Sequence, residues 1–132
     1  MASAPDHRRI GPRLRTTVWL LCIIGAFTAT HTPPPEKPAP MIFNDKFLHF
    51  MGFCALGIVT VWRAAGRKSA FSRSAFVGWF GFLATYGLLD EASQRFVGRE
   101  FELGDWTADV AGALVGMIIC VLCLRASPAE MT

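Results

Sequence analysis

Residues 91–116 read EASQRFVGREFELGDWTADVAGALVG, and this stretch decides the fold. It places Glu91, Arg95, Arg99, Glu100, Glu102, Asp105 and Asp109 between two apolar runs, each able to cross a bilayer. Charge at such a boundary is costly unless it is paired or has a task. The run before it extends from Ser74 to Leu89 and on toward Phe96, with Gly98 expected to end the helix. The run after it, Trp106 to Leu124, follows Gly104 and Asp105 and stops at Arg125.

Working outward, Lys46 to Ala65 forms another block long enough to span. Thr16 to Thr30 is shorter than the roughly 20 residues a spanning helix needs. With the basic residues before it and the small residues Ala26, Thr28 and Ala29, it also resembles a signal peptide. A retained helix is the expectation, since apolar segments follow with which it can pack. Between these blocks HTPPPEKPAP, residues 31–40, cannot continue a helix and reads as an extended connector, with His31 solvated.

The expected fold class is therefore all-α, a polytopic membrane bundle of four transmembrane helices at about 16–30, 46–65, 74–97 and 106–124. These make one membrane domain over 16–125, after a basic leader (1–15) and before a polar tail (126–132). Composition agrees: the 132-residue chain is 52% hydrophobic, and its apolar residues come in long blocks, not scattered stripes. The net charge of +3 comes from short basic clusters with no aromatic-interleaved stripe, so no nucleic-acid partner is expected. Cys22, Cys54, Cys120 and Cys123 all fall in apolar runs and read as small hydrophobes, the CxxC at 120–123 included. Phenylalanines such as Phe47, Phe50 and Phe53 read as lipid-facing or packing groups, and Trp62 and Trp106 as interfacial anchors.

Charge fixes the expected orientation. With both termini cytoplasmic, Arg8, Arg9, Arg13, Arg15, Arg63, Arg67, Lys68, Arg73 and Arg125 lie inside, nine of the thirteen basic residues. The acids segregate the other way, all but Asp6 and Glu130 lying at or near the outer face. The chain is thus expected in the cytoplasmic (inner) membrane, with its functional face extracytoplasmic.

Three helix ends should meet there. Asp45 and His49, four apart, share a face at the start of the second helix. Glu91, Gln94 and Arg95 share one at the end of the third, where Glu91 and Arg95 also suit an ordinary ion pair. In the fourth helix Asp105, Asp109, Gly112 and Gly116 form one stripe, which the GxxxG spacing turns toward another helix. Asp45 and Asp105 are also well placed as helix caps. Asp109 lies beyond the first turn of an apolar helix and should seek His49, Arg99 or another donor.

DKFLHFMGF and LLDEASQRFVGREFELGDWTADVAGALVG together resemble the VanZ-like family of small bacterial membrane proteins. The likeness covers about residues 18–124: a first helix ending in a proline-containing segment, D-K-x-x-H-F, E-x-x-Q-x-F…G-R, and D-x-x-A-D/N-x-x-G-x-x-x-G. Asp45, Lys46, His49, Phe50, Glu91, Gln94, Arg99, Asp105, Asp109, Gly112 and Gly116 match its motif positions. The chain departs in having Asp109 where asparagine is frequent and in lacking a proline between Val97 and Gly98.

The resemblance implies a cell-envelope role, with antibiotic (teicoplanin) resistance named for one member, and implies no particular reaction or cofactor. The expected function is a polar site that binds an anionic lipid or glycolipid head group, an envelope lipid-linked intermediate included. Lys46, Gln94, Arg95 and Arg99 would contact it, with Asp45, Asp105, Gly112 and Gly116 capping or structural. The alternatives are a hydrolase or transferase with His49, Glu91 and Asp109 as its catalytic candidates, in which Glu91, Asp105 or Asp109 with His49 supplies acid/base catalysis or holds a divalent metal, and a non-catalytic structural or assembly protein.

Overall fold

The computed structural model describes residues 10–32, 45–66 and 71–126, all of whose regular structure is helical. The order is α1 (Pro12–Thr30), α2 (Asp45–Ala65), α3 (Arg73–Gln94), a single 3-10 turn (Arg95–Val97) and α4 (Leu103–Ala126). Expectations for residues 1–9, the prolines of the connector, Arg67, Lys68 and the tail after Ala126 fall outside the described residues.

Helix ends shift from the sequence reading for local reasons. In α1, Pro12 takes the first helical positions, where its fixed φ and missing N–H cost nothing, so Arg13 and Arg15 belong to the helix. Ser72 caps α3, its hydroxyl accepting from the Ala75 N–H at 3.1 Å. Gly98, at φ 81°, closes the 3-10 turn in the left-handed conformation that glycine adopts freely. α4 starts at Leu103, so Asp105 sits in its first turn, where negative charge suits the helix dipole.

α2 and α4 form the most intimate pair. A Cβ on Gly112 would strike the Phe50 carbonyl, and one on Gly116 the Cys54 carbonyl, so the two glycines let backbone meet backbone. Around that seam Phe53, Leu56, Val61, Leu83, Ala113 and Met117 are each 3% exposed or less. α3 packs mainly on α4, and α1 lies outermost with no buried residue. It is tied in by the Tyr86 hydroxyl donating to the Ile23 carbonyl (3.1 Å) and the Trp19 indole donating to Thr60 Oγ1 (2.9 Å).

Among the described residues two helices, α2 and α4, are long and apolar enough to cross a membrane. Every helix leaves large apolar side chains exposed, among them Leu21, Ile24, Met51, Val77, Leu89, Ile119 and Leu122. At one end of the bundle Arg15 Nη1 donates to the Trp62 and Gly66 carbonyls, both at 2.8 Å, and lies over the Trp62 ring. Beside it the Arg63 guanidinium stands 4.7 Å from the Trp19 ring and 5.5 Å from that of Trp79. This Arg63 end borders a cavity of about 770 Å³.

Candidate functional site

The acids gather at the opposite end, where α1 and α3 finish and α2 and α4 begin. α2 presents Asp45, Lys46 and His49 on its first turns because they are spaced one and four apart. Lys46 Nζ bridges Glu102 Oε2 (2.7 Å) and Asp105 Oδ1 (2.9 Å), drawing the start of α2 onto the start of α4. Arg99 Nη2 donates to Asp45 Oδ2 at 2.9 Å and so ties down the segment between α3 and α4.

Beneath these partly exposed pairs lies a buried layer. His49 Nδ1 is 2.9 Å from Asp109 Oδ1, with side chains 4% and 1% exposed. A carboxylate only accepts, so Nδ1 carries the hydrogen and the ring directs the lone pair of Nε2 away from Asp109. Asp105 Oδ2 stands 3.9 Å from Nε2, beyond hydrogen-bond reach. Asp109 Oδ2 accepts no hydrogen bond among the described residues.

Glu91, 1% exposed, is a structural hub. Its Oε1 accepts from the Glu102 backbone N–H (2.8 Å) and its Oε2 from Gln94 Nε2 (2.9 Å). The ion pair with Arg95 that the spacing permits is not made among the described contacts. Arg95 sits on the 3-10 turn, exposed, 5.6 Å from the Phe96 ring. The helix has already begun to tighten there, turning Arg95 off the face that Glu91 shares with Gln94.

A cavity of about 610 Å³ opens at this end. Ala26, Ala29, Leu48, Gly52 and Phe53 give it an apolar flank, and Asp45, His49, Arg99, Glu100, Glu102 and Asp105 a polar one, with Thr30 and Thr32 at the end of α1. Of the three residues expected to do chemistry, His49 alone borders it; Glu91 and Asp109 stand behind. Of the four expected head-group contacts only Arg99 borders it, while Gln94 is buried against Glu91 and Lys46 pairs with two acids of the rim.

Sequence reading missed three participants. His31, expected to be solvated, stacks on Phe27 at 3.8 Å, places Nε2 2.9 Å from Ser93 Oγ, and lies 3.7 Å from Asp90 Oδ1. Asp90, 3% exposed, is also reached by Gln94 Nε2 at 3.4 Å. The i, i+4 spacing of Asp90 and Gln94 was visible in the chain, but which acid of the DE pair would turn inward was not; both do. Trp106, expected as an interfacial anchor, has a further partner that spacing did not show: it donates its indole N–H to the Ala84 carbonyl at 3.0 Å, linking α4 to α3. Cys120 and Cys123 lie on successive turns of α4 as free thiols.

Comparison with known proteins gives one family, described as VanZ/LLP1, matching residues 13–124. No curated protein and no solved structure matches.

Proposed function

The chain belongs to the VanZ/LLP1 family, and from that premise we propose that it is a multi-pass protein of the bacterial inner membrane whose Asp45 end faces outward and holds an envelope lipid by its head group. Membrane embedding through all four helices is supported by the large apolar side chains that each leaves exposed, a surface suited to lipid. Outward placement of the acids is supported by the basic residues at the other end, Arg13, Arg15, Arg63, Arg73 and Arg125, by the positive-inside rule.

The observation that carries the head-group reading is the divided lining of the Asp45-end cavity. An acyl chain fits the Ala26, Ala29, Leu48 and Phe53 flank, and a head group the Arg99 and His49 flank. Arg99 is the anion contact: its pair with Asp45 is partly exposed and thus weak, so a phosphate or carboxylate can take the guanidinium. Glu91, Gln94 and Asp109 support the site from behind. Such a role accords with the link to glycopeptide (teicoplanin) resistance that family membership suggests.

The test is native mass spectrometry of the detergent-purified chain with phosphatidylglycerol as probe. Arg99→Ala should lower lipid retention about tenfold, the worth of one charge-assisted hydrogen-bonded contact. Retention indifferent to Arg99 would sink the reading. A second reading, chemistry on the bound head group, is favoured by the Asp109–His49 pair, an orientation suited to a general base. It requires turnover that His49→Ala abolishes while lipid retention survives.

A further inference from the structure

The lining of the Asp45-end cavity contains a contradiction for an anionic ligand: it holds four acids, Asp45, Glu100, Glu102 and Asp105, against two cations, Arg99 in the lining and Lys46 paired with Glu102 and Asp105. Phosphate or carboxylate brought there meets net negative charge, which costs binding unless a cation intervenes. We propose that Asp45, His49 and Asp105 bind a divalent cation of the zinc or manganese class, which bridges the protein to the head group. The inference rests on the head-group reading and deepens it.

Geometry carries it. Each of the three residues offers a ligand atom within 4.8 Å of the others. Ligands sharing one ion stand roughly 3–4 Å apart, so about an ångström of side-chain closure completes the set. The cations already present do not exhaust these acids. Lys46 holds Asp105 Oδ1 and Arg99 holds Asp45 Oδ2, while Asp105 Oδ2 and Asp45 Oδ1 accept no hydrogen bond among the described residues.

The second, independent observation is His49. Its side chain is 4% exposed and its Nδ1 is engaged by the buried carboxylate of Asp109, while among the described residues its Nε2 makes no hydrogen bond, borders the cavity and has Asp105 Oδ2 nearby at 3.9 Å. A carboxylate behind a histidine, fixing its tautomer and leaving the far nitrogen bare, is the usual support of a metal-ligating imidazole. One nitrogen and two carboxylates suit zinc or manganese, with positions left open for the head-group oxygen. A lone pair given to a metal is not available as a base, so this assignment and the general-base reading exclude each other.

Isothermal titration of the metal-stripped, detergent-purified full chain with Zn²⁺ tests it, with Mn²⁺ as a second probe. One ion should bind per chain, His49→Ala and Asp105→Asn should each abolish saturable uptake, and Asp109→Asn should weaken it about tenfold as a supporting residue. Helical circular dichroism and gel filtration identify any variant that fails to fold; Asp105→Asn, which leaves the buried His49–Asp109 pair intact, decides if His49→Ala is lost. Zn²⁺ should also raise phosphatidylglycerol retention. Absence of stoichiometric uptake by the folded wild type, uptake unchanged in both His49→Ala and Asp105→Asn, or Zn²⁺ that binds without raising lipid retention each overturns the proposal. Arg99→Ala separates the two ideas: it should lower lipid retention while leaving Zn²⁺ uptake intact. Lipid retention that depends on Arg99 but not on Zn²⁺ leaves the head-group reading standing alone.

Discussion

The two ends of the bundle handle charge in opposite ways. At the Arg63 end cations are spent on neutral partners: Arg15 satisfies the Trp62 and Gly66 carbonyls at the close of α2, and Arg63 lies between the indoles of Trp19 and Trp79. At the Asp45 end cations and acids alternate, with Lys46 between Glu102 and Asp105 and Arg99 on Asp45, above a buried layer of His49, Asp109, Glu91 and Gln94. The first arrangement closes helix termini and fixes packing. The second leaves one carboxylate oxygen each of Asp45 and Asp105 without a hydrogen bond among the described residues.

The largest expected effect on this contrast comes from Glu91→Ala. The substitution leaves the Glu102 N–H without its acceptor and removes the principal one of the buried Gln94, so a loss of about 3 kcal/mol is expected. Thermal unfolding in detergent should show Trp106 emission changing before that of Trp19 and Trp79; coincident changes would mean the two ends melt as one unit. Arg63→Ala should do the reverse. Losing two cation–π contacts costs about 1–2 kcal/mol and shifts Trp19 and Trp79 emission while leaving lipid retention unaltered. Lipid retention that fell with Arg63 would erase the distinction between the ends.

Arg15→Ala should cost about 1 kcal/mol, as the terminal carbonyls of α2 lose a charged donor. Amide hydrogen exchange confined to the last turn of α2 would register it. Smallest on stability is Arg99→Ala, at about 0–1 kcal/mol for a partly exposed pair. The same variant should have the greatest effect on lipid retention. A stability loss as large as that of Glu91→Ala would make Arg99 a structural residue and remove the reason for assigning it to a ligand.

Much of this was legible in the chain. Blocks of apolar residues announce helices by length alone, and the i, i+4 spacing of Gly112 and Gly116 announces a close neighbour, found to be α2 at Phe50 and Cys54. Asp109 in an apolar helix had to find a donor, and of the donors considered it took His49. Partners set by rotation about a helix axis near its end were less legible. Arg95 and Gln94 are equally compatible with Glu91 by spacing, and the 3-10 turn at Arg95 decided for Gln94. His31 follows the last residue of α1, and its contact with Ser93 depends on where α3 ends relative to it.

By itself the sequence determined that this chain is helical, that its charges divide between two ends and that its family is VanZ-like, because each follows from hydropathy, spacing or motif along one dimension. Tertiary structure alone decided which charged groups are buried hubs and which reach the cavity. Glu91 and Asp109, the most suggestive acids in the sequence, are turned away from the cavity, while Asp45 and Asp105 line it together with the buried His49. The reason is that depth is a property of how four helices approach one another, which the close α2–α4 seam at Gly112 and Gly116 sets and no single helix can specify.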